Sequence, residues 1–207
     1  LYQPSAFRFI MTTRGCPFHC SFCHAPDLWG RKLRFRSADQ VVSEIKYLQS
    51  QGVPSFQFED DTFCGNKKHI IELCDSIIKH CPGLVWRCEL HVKFVDEETI
   101  SLMKKAGCYS IQLGIESGND EILRKIRKQI TVREALAACK IIKRHDIQLV
   151  VFFMIGFPWE TEETLRDTVV VVKKSNSDYI TYSIFTPYSG TEIFEFCVEN
   201  GLVAEHY

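Results

Sequence analysis

The chain has 207 residues, 45% of them hydrophobic, and a formal net charge of −1, the size and balance of one globular domain with no global electrostatic drive toward nucleic acid. Its longest apolar run, residues 149–155, is far too short to cross a bilayer, and no secretory pattern opens the chain. Ten cysteines in a chain of this length point to a reducing, cytoplasmic setting and not to a secreted disulfide scaffold.

Starting at Leu1, inside a lead-in to a strand, the sequence is expected to be a segment of a longer protein. A first strand over 7–13 delivers the stretch Gly15-Cys16-Pro17-Phe18-His19-Cys20-Ser21-Phe22-Cys23-His24. Ser37 with Gln40 then forms a capping box, opening a helix with Val41, Ile45 and Leu48 on one face and Gly52 at its end. A second strand over 53–58 and a helix over 66–80 follow, stopped by Pro82-Gly83. The third strand spans 84–90, and Asp96 caps a helix reaching Ala106, with Gly107 behind it. Strand four covers 108–115. A short helix begins at Asn119, and a longer one is opened by the capping box of Thr131 and Glu134. Strand five spans 148–155 with a helix over 161–174, and strand six spans 179–186 before an amphipathic helix over 191–200 that stops at Gly201. This rhythm of βα units implies an α/β domain with six parallel strands. Six units are too few for a closed eight-stranded barrel, so the expected form is a partial (β/α)6 TIM-like barrel with its chemistry at the C-terminal strand ends.

Three thiolates in one loop can hold three corners of a cubane 4Fe–4S cluster, each iron ordinarily taking one cysteine. The fourth iron then stays open to a ligand. Other readings exist for the same residues: His19 and His24 could complete a four-ligand zinc site, and Cys20 with Cys23 forms a redox-type C-x-x-C. Cys64 is the one further cysteine near in sequence, but it follows another strand.

The segment CPFHCSFC resembles the signature of the radical S-adenosylmethionine (SAM) superfamily. GRKLRFRS after it, FEDDTF at 58–63, LGIES at 113–117, FFMIGFPWET at 152–161 and TPYSGTEIF at 186–194 resemble the branch that includes many cobalamin-dependent members. Together they cover nearly the whole chain. The resemblance implies that residues 1–207 are a radical SAM core, with an upstream cobalamin-binding domain outside these residues. Cys16, Cys20 and Cys23 would hold the cluster, whose open iron chelates SAM. One electron then breaks SAM into methionine and a 5′-deoxyadenosyl radical that takes hydrogen from a substrate, for methyl transfer or another rearrangement. A flavodoxin- or ferredoxin-type donor is required, and no side chain needs to be a nucleophile or general base.

The strand ends supply the other candidates. Beside the cluster, Asp60 and Asp61 could meet the SAM amino group, although alone they read as a solvated turn with a helix cap, and the better-known Gly-Gly-Glu form of this motif is absent. Glu89 and His91 face the same way on strand three; related sequences commonly carry arginine where His91 stands, and a satisfied, partly buried histidine is the plainer account. Glu116, followed by Ser117 and Gly118, suits a ribose diol. Lys128 resembles a basic position that meets the SAM carboxylate, and a solvated lysine fits as well. Met154 and Gly156 would let the backbone approach adenine, with Phe22 packing on the same ring. The basic run Arg31, Lys32, Arg34 and Arg36 receives no catalytic role. The alternative from another class is a non-catalytic module, either an electron carrier or a zinc-stabilised domain.

Overall fold

A computed structural model of the chain describes residues 8–204. In chain order, β1 (Arg8–Ile10) leads to a small ribbon of β2 (Thr13–Arg14) and β3 (Arg34–Phe35) that brackets helix α1 (Ala25–Trp29). After them come α2 (Ala38–Ser50), β4 (Phe56–Phe58), α3 (Lys67–His80), β5 (Trp86–Leu90), α4 (Glu97–Lys105), β6 (Cys108–Glu116), α5 (Asp120–Lys125) and α6 (Val132–Arg144). The chain continues through β7 (Gln148–Ile155), α7 (Glu162–Ser175), β8 (Tyr179–Ile184) and α8 (Glu192–Glu199). The six long-range strands form one sheet in the order β1-β4-β5-β6-β7-β8, every neighbouring pair parallel. This is the expected six-stranded α/β partial barrel. Among the described residues β1 and β8 keep an unpaired edge, and all six residues of β8 are exposed.

Alternation along the strands builds the core. Phe58, Cys88, Ile111 and Leu149 stand side by side across four strands and are buried, as are Leu90, Leu113 and Val151 one layer on. Phe58, Phe63 and Trp86 close this layer with ring centroids 5.0–5.1 Å apart, and the Trp86 indole N–H donates to the Ala106 carbonyl at 2.8 Å. Burial of each such ring contributes on the order of 2–3 kcal/mol. The opposite face is polar: Glu89 and Gln112 lie side by side, and Arg87 Nε donates to Gln57 Oε1, whose amide donates to Glu59 at 2.6 Å.

The capping boxes at Ser37/Gln40 and Thr131/Glu134 form as their spacing requires, and Thr161 with Thr164 adds a third. Several strand bounds change, and the strands expected from 53 and 84 begin at Phe56 and Trp86. The first strand, expected over 7–13, ends at Ile10 (Phe7 lies outside the described residues), because the Asp60 carboxylate takes the N–H groups of Thr12 and Thr13 and turns the chain into the ribbon. The last strand stops at Ile184, short of 186. The helix α1 and the β2–β3 ribbon had no periodic signal, being two to five residues long.

Candidate active site

Four independent ties hold the cysteine loop over the C-terminal ends of the strands. The Ser21 N–H donates to the Ile126 carbonyl at 3.0 Å, and the Ile193 N–H donates to the Ser21 carbonyl at 3.3 Å, joining the loop to the ends of α5 and α8. Arg31 Nη1 donates to the Phe18 carbonyl at 3.0 Å. The Phe18 ring stacks on His91, centroids 3.5 Å apart and planes 13° from parallel. Gly15 enters the loop at φ 95°, and a Cβ there would lie 2.7 Å from the Lys32 carbonyl oxygen and 2.9 Å from that of Gly30, so only glycine fits.

So braced, Cys16, Cys20 and Cys23 open together, half-buried, on a cavity of about 430 Å³. Asp61, Glu89, His91, Glu116, Lys128, Phe22 and Met154 line it too. Among the described residues no three His, Cys, Asp or Glu side chains converge on a single ion. A cubane asks for something different, one separated thiolate per iron. Cys64 cannot supply a fourth ligand here: it is fully buried off the cavity, its sulfur 3.5 Å from the Thr12 hydroxyl oxygen, whose proton goes to Asp60. His19 and His24 do not line the cavity either, and His24 lies 3.2 Å from Asp27. The donor set thus fits a three-cysteine cluster with one open corner.

Burial pushes the three thiols up, Cys20 to about 11, while the Lys128 ammonium works against burial at each of them. Binding metal would release those protons. Lys128 itself is buried, which disfavours its charge, yet Glu116 and the neighbouring cysteines outweigh that and hold its pKa above the ordinary lysine value. Its Nζ donates to Glu116 Oε1 at 2.7 Å. Glu116 takes φ 71°, a left-handed conformation rare for a side chain of its size, at a register shift where β6 leaves β7. Gly114 makes room for the pair, since a Cβ there would lie 2.4 Å from Glu116 Oε1 and 2.9 Å from Lys128 Nζ.

The two aspartates part company. Asp60 is 4% exposed and lies off the cavity; its carboxylate accepts from Thr12 N (2.6 Å), Thr13 N (2.9 Å), Cys64 N (3.2 Å) and the Thr12 hydroxyl. Burial raises its pKa and these four bonds oppose the rise. It works as a clamp beneath the loop, not as a group turned toward a ligand. Asp61 faces the cavity beside Cys16 and Cys23, its pKa also raised by burial and held back by the Gly15 N–H. Ser117 lies fully buried off the cavity, accepting from Asn119 N–H at 3.3 Å. Gly156 is likewise off the lining, at φ 95°, and its N–H donates to Glu160 at 2.5 Å, as does that of Phe157 at 3.1 Å. Phe22 packs on Phe157 with centroids 5.9 Å apart.

Several members of the site carried no role in the sequence. Glu89 projects into the cavity, its pKa raised by burial and by Glu59 and Glu116. Burial and Lys128 push His91 down to about 3, so its ring is neutral, with Nδ1 accepting from Lys93 N–H at 3.2 Å. The Lys128 carbonyl favours a proton on Nε2, but no hydrogen bond closes there. Gly114, Glu160 and Arg31 lie within the motif segments but received no role of their own there, because they act on the site through packing and backbone contacts.

A model of the radical SAM superfamily matches residues 10–172. An uncharacterised methyltransferase of Pyrococcus horikoshii is 35% identical over 198 residues, covering 95% of this chain and 43% of that protein. The anaerobic magnesium-protoporphyrin IX monomethyl ester cyclase of Rubrivivax gelatinosus is 32% identical over 185 residues, covering 88% and 33%. Among solved structures, the radical SAM methyltransferase TsrM of Kitasatospora setae, with cobalamin and a [4Fe–4S] cluster bound, superposes at a TM-score of 0.87 with 23% identity, over 95% of this chain and 37% of that one. The chain thus spans well under half the length of these proteins.

Proposed function

The chain belongs to the radical SAM superfamily, whose members use a 4Fe–4S cluster and SAM, and from that premise we propose that it is the catalytic core of a cobalamin-dependent radical SAM enzyme. The observation that carries this reading is the meeting of three separated, half-buried thiols and the buried Glu116–Lys128 pair on one cavity, with no fourth cysteine on its wall. What a bound cluster supplies is one electron to the sulfonium of SAM, releasing methionine and the 5′-deoxyadenosyl radical. The chain's own residues bind and orient SAM.

Asp61 and Glu89 line the cavity together with the Glu116–Lys128 pair, an excess of carboxylates over ammonium groups. SAM is a net cation at neutral pH and complements that excess in a site partly screened from water. In our assignment Asp61 receives its amino group, next to the cysteines. Glu116 exchanges Lys128 for the ribose hydroxyls, and Lys128 turns to the carboxylate. Phe22 and Met154 flank the adenine, where Glu160 holds the turn at Gly156. Asp60, Ser117 and Gly156 support this arrangement from behind the wall. For the whole protein we assign methyl transfer with cobalamin in a domain outside these residues, following the methyltransferase names of the Pyrococcus relative and the Kitasatospora structure. Ten free cysteines agree with a reducing cytoplasm, and no helix among the described residues is long and apolar enough to cross a membrane.

Anaerobically reconstituted, dithionite-reduced protein is expected to cleave SAM slowly to 5′-deoxyadenosine without added substrate. Glu116→Gln should weaken SAM binding by about tenfold, the loss of one charge-assisted contact of roughly 1.4 kcal/mol, while iron content stays at the wild-type level. A full cluster with no 5′-deoxyadenosine by chromatography would overturn the assignment in favour of an electron carrier.

A further inference from the structure

The reaction needs one electron from outside the protein, and the outer side of the cysteine loop carries a surface the active site does not use. Between Leu28 and Ala38 the chain has four basic residues and no acidic one. Of these, only Arg36 has a carboxylate partner among the described residues, Glu44 at 2.6 Å. Arg14 and Arg34 stand directly opposite each other in the antiparallel ribbon, so both side chains leave the same face; the Arg14 guanidinium lies 5.2 Å over the Trp29 ring and Arg34 Nη2 donates to the Trp29 carbonyl at 2.7 Å. Like charges directly opposite on a two-stranded ribbon destabilise it. Neither arginine has a carboxylate partner among the described residues to offset that cost. Lys32 is exposed and makes no ion pair or hydrogen bond there, Arg31 reaches only the Phe18 carbonyl, and Leu28, 68% exposed, adds an apolar contact beside Trp29. None of these residues lines the cavity.

This strap is fastened to the cysteine loop, with the Lys32 carbonyl seated against Gly15, next to Cys16, and Arg31 holding Phe18. We propose that Arg14, Arg31, Lys32 and Arg34, around Trp29 and Leu28, form the docking surface for the electron donor, a small acidic one-electron carrier. The inference rests on the radical SAM reading above. A ribbon that places positive charge edge to edge without internal acids is paired by an acidic partner face, which steers encounter and releases its hold as salt rises. The step is a single electron passing from the reduced carrier, which becomes oxidised by one electron, to the cluster; no bond or proton is exchanged.

The test uses oxidised flavodoxin for binding and reduced flavodoxin or dithionite for turnover, on reconstituted protein with matched iron content. K32E/R34E is expected to weaken flavodoxin binding by about tenfold at low salt and to flatten its salt dependence. It should slow flavodoxin-driven SAM cleavage and leave dithionite-driven cleavage unchanged. K32E alone, which breaks no internal contact, should weaken binding by about threefold and guards against misfolding of the double variant. Wild-type flavodoxin affinity in both variants overturns the proposal, even where neither protein cleaves SAM with dithionite, a result that sinks the radical reading separately. Loss of binding to a single-stranded RNA oligonucleotide with flavodoxin affinity intact also overturns it, in favour of a nucleic-acid surface.

Discussion

The cysteine loop and the helix-packed core use the same residue in opposite ways. Cys74, Cys88 and Cys108 are buried among apolar side chains, and burial raises Cys74 and Cys88 with no cation near either. Cys139, on α6, is pushed up to about 12 by burial. Thiols raised in this way, Cys74, Cys88 and Cys139, stay protonated and behave as small hydrophobes. The loop cysteines are also raised by burial, but each has Lys128 working against it, and Cys16 and Cys23 have backbone N–H donors as well. They open on a cavity, where a metal can complete the compensation. Reactivity here is a property of the surroundings and of access, not of cysteine count.

The strongest way to break that contrast is at the thiols themselves. Changing Cys16, Cys20 and Cys23 to alanine should abolish reconstituted iron and its visible absorbance. Cys74→Ala or Cys108→Ala should retain full iron while costing about 1–2 kcal/mol of stability as core truncations. Equal iron in the triple variant and wild type would falsify the cluster assignment.

The neighbouring carboxylates sharpen the contrast between wall and site. Asp60→Ala strands the N–H groups of Thr12, Thr13 and Cys64 and should lower stability by about 3 kcal/mol in denaturant melts. Asp61→Asn should leave the melt within roughly 0.5 kcal/mol and instead raise the SAM concentration needed to change the cluster's electron paramagnetic signal. If the two variants exchange these phenotypes, the division between clamp and ligand contact is wrong.

A pH dependence is carried by His91 beneath Phe18. Its folded pKa, about 3, lies below its value in an unfolded chain, about 6.5. The unfolded state therefore binds the proton first, and stability contributed by the neutral ring is present above pH ~6.5 and lost as pH falls toward 3, at up to about 1.4 kcal/mol per unit. His91→Phe, which keeps a ring for the stack, should lose less stability than wild type between neutral pH and pH ~5. Parallel melting curves across that range would show that the ring is not buried neutral.

Much of this molecule is local and was therefore written in the chain. The cysteine spacing, the caps at Ser37, Asp96, Asn119, Thr131 and Thr161, the strand over 148–155 and the six βα units follow from short-range rules of periodicity and hydrogen bonding. So does the placing of carboxylates at strand ends. Which carboxylate faces the ligand was not local. Asp60 and Asp61 are identical in type and adjacent, and only the return of Thr12 and Thr13 across 47 or 48 residues takes one of them out of the cavity. The same holds for Glu116 with Lys128, twelve residues apart and joined by a left-handed turn that Gly114 makes room for, and for the stack of Phe18 on His91. Sequence determined which groups could do chemistry; burial and long-range hydrogen bonds, which depend on every strand at once, decided which of them were left facing the cavity.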